Sequence, residues 1–277
     1  MLMLTDGTFP ALRPLTSNGA ELEFGAMRWH EVLRARLDGV SGVWRDDFFP
    51  SDALLEQLRR TPDFTVTAPD GTVLGSGGGS EREELPADGV RLVYPWDLLH
   101  VAEMWLGGRH ENRIAGDVHP LATLDGVLEL GENSRILPGV YIEGICVIGK
   151  NCKIGPNCYL RGRTVIGDHC HIGQAVEIKN CVINSHTNIA HLSYVGDSVI
   201  GSHVNFGAGT IVGNLRHDGG NHRSMVDGRL IDTGRRKFGA VVGDGVHTGI
   251  HTSIYPGRKL FPGVSTLPGA VIRHDLQ

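Results

Sequence analysis

Aliphatic residues recur every six positions through the second half of the chain. Nine consecutive members keep that spacing: Leu130, Ile136, Ile142, Ile148, Ile154, Leu160, Ile166, Ile172 and Ile178. The series then runs on, with two steps of five, through Ile183, Ile189, Val195, Ile200, Phe206 and Val212. A fixed period outweighs local propensity and marks a repeat architecture. Three steps make a triangular coil of 18 or 17 residues, so the pattern predicts a mainly β protein, a left-handed parallel β-helix of hexapeptide repeats.

Small or β-branched residues stand four positions after most members of the series. Four of the five cysteines occupy this position, and the fifth, Cys181, keeps the same phase two residues before Ile183. The count is odd and no CxxC pair occurs, so neither a disulfide framework nor a common zinc motif fits. We expect the cysteines to be small buried fillers of the coil interior.

The repeat is interrupted once. After Val212 a polar, glycine-rich segment covers residues 213–239, and the series resumes at Val242, Thr248, Ile254, Leu260, Thr266 and Ile272. The interruption predicts a long external loop, which on a rigid scaffold is typical of function. Successive coils stack ~4.8 Å apart, so residues 17 or 18 apart in sequence lie above one another.

The front of the chain lacks the period. Residues 1–90 are predicted to form a small α/β region, with helices near 27–37 and 53–60, the second capped by Ser51. Residues 75–80 (GSGGGS) suggest a flexible stretch. Residues 91–125 form a linker with an apolar helix from Asp97 to about Leu106, expected to cover the exposed edge at the base of the solenoid, residues 126–277.

Composition and net charge limit the classes of molecule that the protein is expected to bind. Hydrophobic residues make up 40% of the 277, enough for a core, and 39 glycines indicate many tight turns. A net charge of −5 gives no basic excess for nucleic acid or a membrane surface. With no leader-like N-terminus and no apolar run near ~18 residues, we expect a cytoplasmic protein.

Two cations are predicted to stack. Arg161 follows Leu160 and Lys179 follows Ile178, so they occupy equivalent positions one coil apart. Like charges ~4.8 Å apart repel unless an anion lies between them, which favours a phosphate site; a solvated basic face is the alternative.

Two motifs carry a family resemblance: HLSYVGD at 191–197 and NFGAGT at 205–210, followed by Asn214. Over roughly residues 92–275 the chain resembles the acetyltransferase domain of bifunctional enzymes that acetylate glucosamine-1-phosphate and couple it to UTP. The resemblance implies acetyl-CoA as acyl donor, His191 as general base and a homotrimer. It further implies that the sugar phosphate is bound by Arg161, Lys179, Tyr194, Asn205, Asn214 and Lys237.

Histidine suits the proposed chemistry. A sugar ammonium must lose a proton before its nitrogen attacks a thioester, and the unperturbed imidazole pKa of ~6.5 fits that task. His191 is also one of 14 histidines, so a plain surface residue is the alternative. Ala208, Arg235 and Arg236 are predicted to contact the coenzyme, the last two from a run of loop cations that ends at Lys237 and is otherwise simply solvated.

A second histidine pattern offers a metal site. His169, His186 and His203 are spaced by 17 residues and form a vertical ladder. Zinc carbonic anhydrases share this solenoid, but their ligands sit in a different repeat phase. We therefore predict turn-position histidines and no metal.

The chain departs from the resembled family at its front. Residues 12–16 are similar to the segment after the family's phosphate loop, but the loop itself is missing before them, where Asp6, Gly7, Thr8 and Phe9 stand. Ile250 replaces a serine, and Leu215 an aromatic residue.

The prediction is an acyl-CoA-dependent N-acetyltransferase of an amino-sugar phosphate. The alternatives are a non-catalytic sugar-phosphate-binding or assembly subunit and a nucleotidyltransferase.

Overall fold

The N-terminal region combines helices with a mixed β-sheet. The computed structural model describes residues 1–5, 9, 12–16 and 21–277, so Asp6, Gly7 and Thr8 lie outside the described residues. The strands here are β1 (Leu2–Thr5), β2 (Glu23–Phe24), β3 (Met27–Arg28), β4 (Gly42–Arg45), β5 (Phe48–Pro50), β6 (Phe64–Thr67), β7 (Val73–Gly77), β8 (Glu83–Pro86) and β9 (Gly89–Arg91). The helices are α1 (Trp29–Arg36), α2 (Asp52–Arg60) and α3 (Asp97–Gly107). The sheet order is β1-β4-β7-β6-β8, with parallel pairs at the edges and antiparallel pairs at the centre.

Helix α2 begins where the sequence predicted. The Ser51 hydroxyl accepts a hydrogen bond of 3.1 Å from the Leu54 backbone N–H, which satisfies one of the free donors of the first turn. Its apolar side, Leu54, Leu55 and Leu58, is buried.

The expected flexible stretch is wrong in its first half. Residues 75–77 belong to β7 and pair with β4 and β6. A Cβ on Gly75 would lie 2.2 Å from the Trp44 ring, so this glycine lets an indole pack flat on the strand. Composition alone does not distinguish a glycine that allows close packing from one that gives the backbone conformational freedom.

Parallel strands stacked in coils, interrupted by one antiparallel hairpin at 223–232, make up the rest of the chain. In chain order they are β10 (Arg113–Ile114), β11 (Asp117–Val118), β12 (Thr123–Leu130), β13 (Arg135–Ile136), β14 (Tyr141–Ile148), β15 (Lys153–Ile154), β16 (Tyr159–Arg161), β17 (Arg163–Ile166), β18 (His171–Gln174), β19 (Glu177–Lys179), β20 (Val182–Ile183), β21 (Asn188–His191), β22 (Tyr194–Gly196), β23 (Val199–Ile200), β24 (Asn205–Phe206), β25 (Ile211–Val212), β26 (Arg223–Val226), β27 (Arg229–Asp232), β28 (Ala240–Val242), β29 (His247–Thr248), β30 (Ser253–Ile254), β31 (Arg258–Leu260) and β32 (Val271–Ile272). The left-handed β-helix is confirmed, and its registers step by 18 and 17 residues, as in Tyr159↔Glu177 and Glu177↔Tyr194.

The predicted aliphatic series fills the interior. Its members form one continuous cluster in which Leu160, Ile178 and Val195 stack directly, each fully buried. All five cysteines are free and buried in the interior, which confirms their role as fillers. Burial raises the pKa of the Cys146 thiol to about 12, so this cysteine is an inert core residue.

The solenoid has three faces that differ in chemistry. The site face is formed by β16, β19, β22, β25, β30 and β32, and the polar face by β11, β13, β15, β18, β21, β24 and β29. The covered face is formed by β17, β20, β23, β28 and β31. On the covered face Val165, Val182, Val199 and Val241 point outward in one column, yet all are buried.

Helix α3 buries that valine column. Its residues Leu98, Val101 and Ala102 join the column in a single cluster with the N-terminal aromatic residues. We expected the helix over the base of the solenoid; instead it packs against a side, because the covered face itself is apolar on the outside. The boundaries predicted at residues 90 and 125 fall inside β9 and β12, so neither lies in a linker. None of the described helices is long and apolar enough to cross a membrane.

The interruption at 213–239 is an ordered excursion. Strands β26 and β27 form an antiparallel hairpin whose turn residues, Asp227 and Gly228, both have positive φ. The hairpin is held against the final coils, since the Ser224 hydroxyl donates to the Gly257 carbonyl at 3.0 Å and Lys259 Nζ to the Met225 carbonyl at 2.7 Å.

Candidate active site

The two predicted cations do stack on the site face. Arg161 lies directly opposite Lys179 in the pairing of β16 with β19. Each already has a carboxylate: Arg161 Nη2 lies 2.6 Å from Glu177 Oε1, and Lys179 Nζ lies 2.9 Å from both oxygens of Asp197. The sequence argument required an external anion to relieve their repulsion, but Glu177 and Asp197 supply the negative charge internally. Any bound phosphate must therefore compete with, or join, these two ion pairs.

Asp197 is the centre of the cluster. It is 2% exposed, and besides the Lys179 ammonium its carboxylate accepts hydrogen bonds from Asn180 Nδ2 at 3.2 Å and Asn214 Nδ2 at 2.6 Å. A buried carboxylate is tolerable only when it is paired and hydrogen-bonded in this way. Sequence reasoning missed Asp197, although the stacking rule places its neighbour, Gly196, above Lys179.

Tyr194 and Asn214 belong to the same cluster. Asn214 Nδ2 donates to the Tyr194 hydroxyl oxygen at 2.9 Å, and the Asn214 carbonyl accepts from His222 Nε2 at 3.0 Å and from the Phe238 N–H at 3.1 Å. Burial, aided by the charges of Asp197 and Glu177, raises the pKa of the Tyr194 phenol. Tyr194 therefore stays neutral and keeps its hydroxyl proton for donation to a ligand.

His191 and Asn205 lie on a different face of the solenoid from this cluster. His191 ends β21 on the polar face and is exposed, three residues before Tyr194 opens β22 on the site face. Its carbonyl, not its ring, accepts the Gly209 N–H at 3.1 Å and the Ser193 hydroxyl at 2.8 Å. Asn205 is exposed on β24, in register with Asn188 of the polar face. The structure thus brings together Arg161, Lys179, Tyr194 and Asn214, but it places Asn205 on another side of the triangle.

The remaining predicted residues, Ala208 and the three loop cations, differ in burial. Lys237 and Arg236 are exposed, and Lys237 forms a backbone bridge with Leu215 beside Asn214. Ala208 is half-buried and its carbonyl accepts the His251 N–H at 2.8 Å. Arg235 differs: it is only 8% exposed and its Nη2 lies 2.6 Å from Glu103 Oε1 of α3. Its predicted contact with the coenzyme does not fit this placement, because the guanidinium is committed to α3.

An apolar groove lies beside the cluster and was not anticipated. Its volume is about 880 Å³, and its lining includes Ile211, Leu215, Tyr255, Val271 and Arg273. Ile211 pairs with Tyr194 across neighbouring coils, so one end of the groove adjoins the cluster. Leu215, one of the departures from the resembled family, is 45% exposed in its wall.

The histidine ladder is a stack of rings at one corner. His169, His186 and His203 have near-parallel rings with centroids 4.8 and 4.7 Å apart. All three have positive φ, which marks them as turn residues. Within the described residues, no group of three or more potential ligands is arranged to hold a metal ion.

Comparison with known proteins agrees with the resemblance. A family model described as the GMPPB C-terminal domain matches residues 142–257. A bifunctional sugar-1-phosphate nucleotidylyltransferase/acetyltransferase of Sulfurisphaera tokodaii is 42% identical over 182 residues, 66% of this chain and 45% of that protein. Over these 182 residues the chain is similar to that enzyme. It spans about half the length of that relative.

Other relatives match shorter stretches. The bifunctional protein GlmU of Methanococcus vannielii is 43% identical over 65 residues, which is 24% of this chain and 15% of that protein.

Among solved structures, GDP-perosamine N-acetyl transferase from Caulobacter crescentus covers 90% of this chain and 88% of its own, with 14% identity and a TM-score of 0.22.

Proposed function

We propose that the chain is an acyltransferase that moves an acetyl group from acetyl-CoA to the amino group of a sugar phosphate such as glucosamine-1-phosphate. The observation that carries the proposal is the cluster of Lys179, Asp197, Tyr194 and Asn214 on the site face of a solenoid related to sugar-1-phosphate enzymes. A cation, a phenol and an amide side by side match the oxygen-rich surface of a sugar phosphate.

In the proposed reaction His191 removes a proton from the sugar ammonium. The freed nitrogen lone pair attacks the thioester carbonyl, an amide bond forms, the carbon–sulfur bond breaks and the coenzyme leaves as a thiol after taking up a proton. Arg161 and Lys179 hold the phosphate, with Tyr194, Asn205, Asn214 and Lys237 on the sugar phosphate, and Ala208 and Arg236 contact the coenzyme. Arg235 is omitted because it is paired with Glu103.

The proposed active enzyme is a homotrimer. Asn205 lies on the polar face, whereas Tyr194 and Asn214 lie on or beside the site face of the same protomer. A second copy that brings its polar face against this site face supplies the residues that one protomer cannot. The exposed apolar residues Ile211 and Val271 on the site face suit such a contact.

Thiol release tests the proposal. Acetyl-CoA is mixed with glucosamine-1-phosphate and then with other amino-sugar phosphates, and the free thiol is followed with a colorimetric reagent. Release that depends on both substrates supports the acyltransferase. Binding of a sugar phosphate without release with any acceptor favours a non-catalytic assembly subunit, which the neutralised state of Arg161 and Lys179 would suit.

A further inference from the structure

Helix α3 reaches the candidate site through one carboxylate. Glu103 Oε1 accepts hydrogen bonds from Asn180 Nδ2 at 3.0 Å and from Arg235 Nη2 at 2.6 Å. Glu103 Oε2 lies 3.5 Å from His100 Nδ1 of the same helix. Burial opposes ionisation of Glu103, but these hydrogen bonds outweigh it and hold the pKa of the carboxyl well below its usual range. Glu103 is therefore a fixed negative charge at the junction of three chain segments.

Asn180 connects Glu103 to the candidate site through its side-chain amide. The same Nδ2 group that donates to Glu103 also donates to Asp197 Oδ1, at 3.2 Å. An amide group has two N–H donors, so the two carboxylates use both of them. Asn180 immediately follows Lys179 at a coil corner, where its φ of 54° marks a turn residue, and its side-chain amide reaches α3 through the bond to Glu103.

The anchored carboxylate in turn holds the proposed ligand-binding residues. Asp197 accepts from Lys179 Nζ and Asn214 Nδ2, and Asn214 reaches the Tyr194 hydroxyl. A continuous chain of hydrogen bonds thus runs from α3 to three residues of the cluster. The excursion enters the same arrangement through Arg235, whose charge is balanced by Glu103.

We propose that Glu103 is a positioning residue: through Asn180 it fixes the Asp197 carboxylate, and thereby the Lys179 ammonium, in the geometry that receives the acceptor phosphate. The acceptor-binding part of this inference rests on the proposed function. It assigns the N-terminal region a role in acyl transfer, because α3 holds the site that the solenoid carries. Outer partners of this kind set the precision of a binding site.

A second ion pair between the same segment and the solenoid provides the control. Arg109, just after α3, lies 2.9 Å from Glu129 of β12, and both side chains are about one fifth exposed. This pair has burial comparable to that of Glu103, but within the described residues its side-chain contacts do not lead to the cluster. Glu129→Gln therefore reports what a lost ion pair does to the junction alone.

The experiment compares Glu103→Gln, Asn180→Gly and Glu129→Gln in the full chain. Glycine is chosen at position 180 because it accepts a positive φ without strain while removing the amide. The first measurement is the rate of reductive methylation of Lys179, read by mass spectrometry against the exposed Lys150 as internal reference. The second is KM for the acceptor, measured separately from kcat.

Both Glu103→Gln and Asn180→Gly should speed the methylation of Lys179, because a released Asp197 no longer shields the amine. They should raise KM for the acceptor on the order of tenfold, the scale of one charged hydrogen bond, with a smaller change in kcat. The double variant should resemble the single variant with the larger effect, because both substitutions break the same series of hydrogen bonds. Glu129→Gln should change neither quantity.

Two other outcomes separate the claims. If Lys179 methylation in Glu103→Gln and Asn180→Gly equals that of Glu129→Gln, the positioning role is overturned whether or not the protein is an enzyme. If methylation rises as expected but the native protein neither turns over nor binds an amino-sugar phosphate, Glu103 does position Lys179 and the proposed function is what fails.

Discussion

Lys179 and Asp197 meet across one coil of the solenoid, with Nζ 2.9 Å from each carboxylate oxygen and the carboxylate almost entirely buried. One coil below, Arg161 and Glu177 form a second pair in which each side chain is one third exposed. The two cations occupy equivalent positions in the repeat, but the burial of their carboxylate partners gives the two pairs different energetic roles.

Removal of each cation should therefore affect stability unequally. Lys179→Ala leaves the Asp197 charge buried with only its amide donors, which should cost about 3 kcal/mol of unfolding free energy. Arg161→Ala should cost less than about 1 kcal/mol, because solvent screens the exposed Glu177. Urea denaturation of both variants measures the difference; equal losses would contradict the burial argument.

Binding of the sugar phosphate should show a different pattern. Arg161→Ala and Lys179→Ala should each weaken it by roughly 1.5 to 3 kcal/mol, the range of a charged hydrogen bond. Because both cations are proposed to contact one phosphate, the double variant should lose less than the sum. Calorimetric titration with glucosamine-1-phosphate provides the three values, and strict additivity would speak against a shared ligand.

The proposed base should be separable from the fold. His191→Ala removes an exposed corner residue, so assembly and Tm should remain close to native. Turnover should fall by ~10² to 10⁴, the usual cost of losing a general base. The variant should still bind sugar phosphate. Near-native turnover with every acceptor would exclude His191 as the base and move attention to His169, His186 and His203.

The buried His222 should make stability depend on pH. Burial lowers the pKa of its ring, although the Asn214 carbonyl that accepts from Nε2 acts in the opposite direction. The unfolded chain takes up a proton near pH ~6.5 while the folded protein does not, so stability falls as pH drops below that value and is unaffected above it. The slope contributed by this residue is at most ~1.4 kcal/mol per pH unit.

His222→Gln tests this linkage while keeping an N–H donor for Asn214. Denaturation at pH 7.5 and 5.5 should show a smaller loss of stability on acidification in the variant than in the native protein. The comparison with the variant is needed because burial also lowers the pKa of His171. An identical loss in both proteins would show that His222 is not the group responsible.

The assembly prediction has a direct measurement. Multi-angle light scattering at micromolar concentration should give three times the chain mass of 29.9 kDa. The physical reason is that Asn205 and Tyr194 point from different faces of one protomer, so a complete site needs two copies. A monomer would leave the proposed site incomplete and would contradict the proposed homotrimer.

The fold was predictable because its determinants are local and repeated. Each aliphatic residue of the series occupies an equivalent interior position, so nine matches to one period outweigh any single ambiguous residue. Gly75 shows the limit: its packing against Trp44 depends on a partner 31 positions earlier, and the glycine-rich composition around it suggested flexibility instead.

The site was predictable in part. The stacking rule placed Arg161 over Lys179 correctly, since both follow aliphatic residues in phase. It did not supply their charge partners, because that argument considered cations alone. The pairing of Arg235 with Glu103 spans 132 positions and depends on where α3 packs, which no periodicity encodes.

The buried column of Val165, Val182, Val199 and Val241 has a practical consequence for anyone who works with the solenoid by itself. A fragment that begins after α3 would carry this bare apolar stripe along one side. Exposed apolar stripes of this kind promote aggregation during expression and refolding. Threonine or lysine in place of the valines should keep a shortened protein in solution, since the interior ladder is separate from the outward column. The amount of the substituted fragment recovered in the supernatant, relative to the plain fragment, would measure how much N-terminal coverage the solenoid needs.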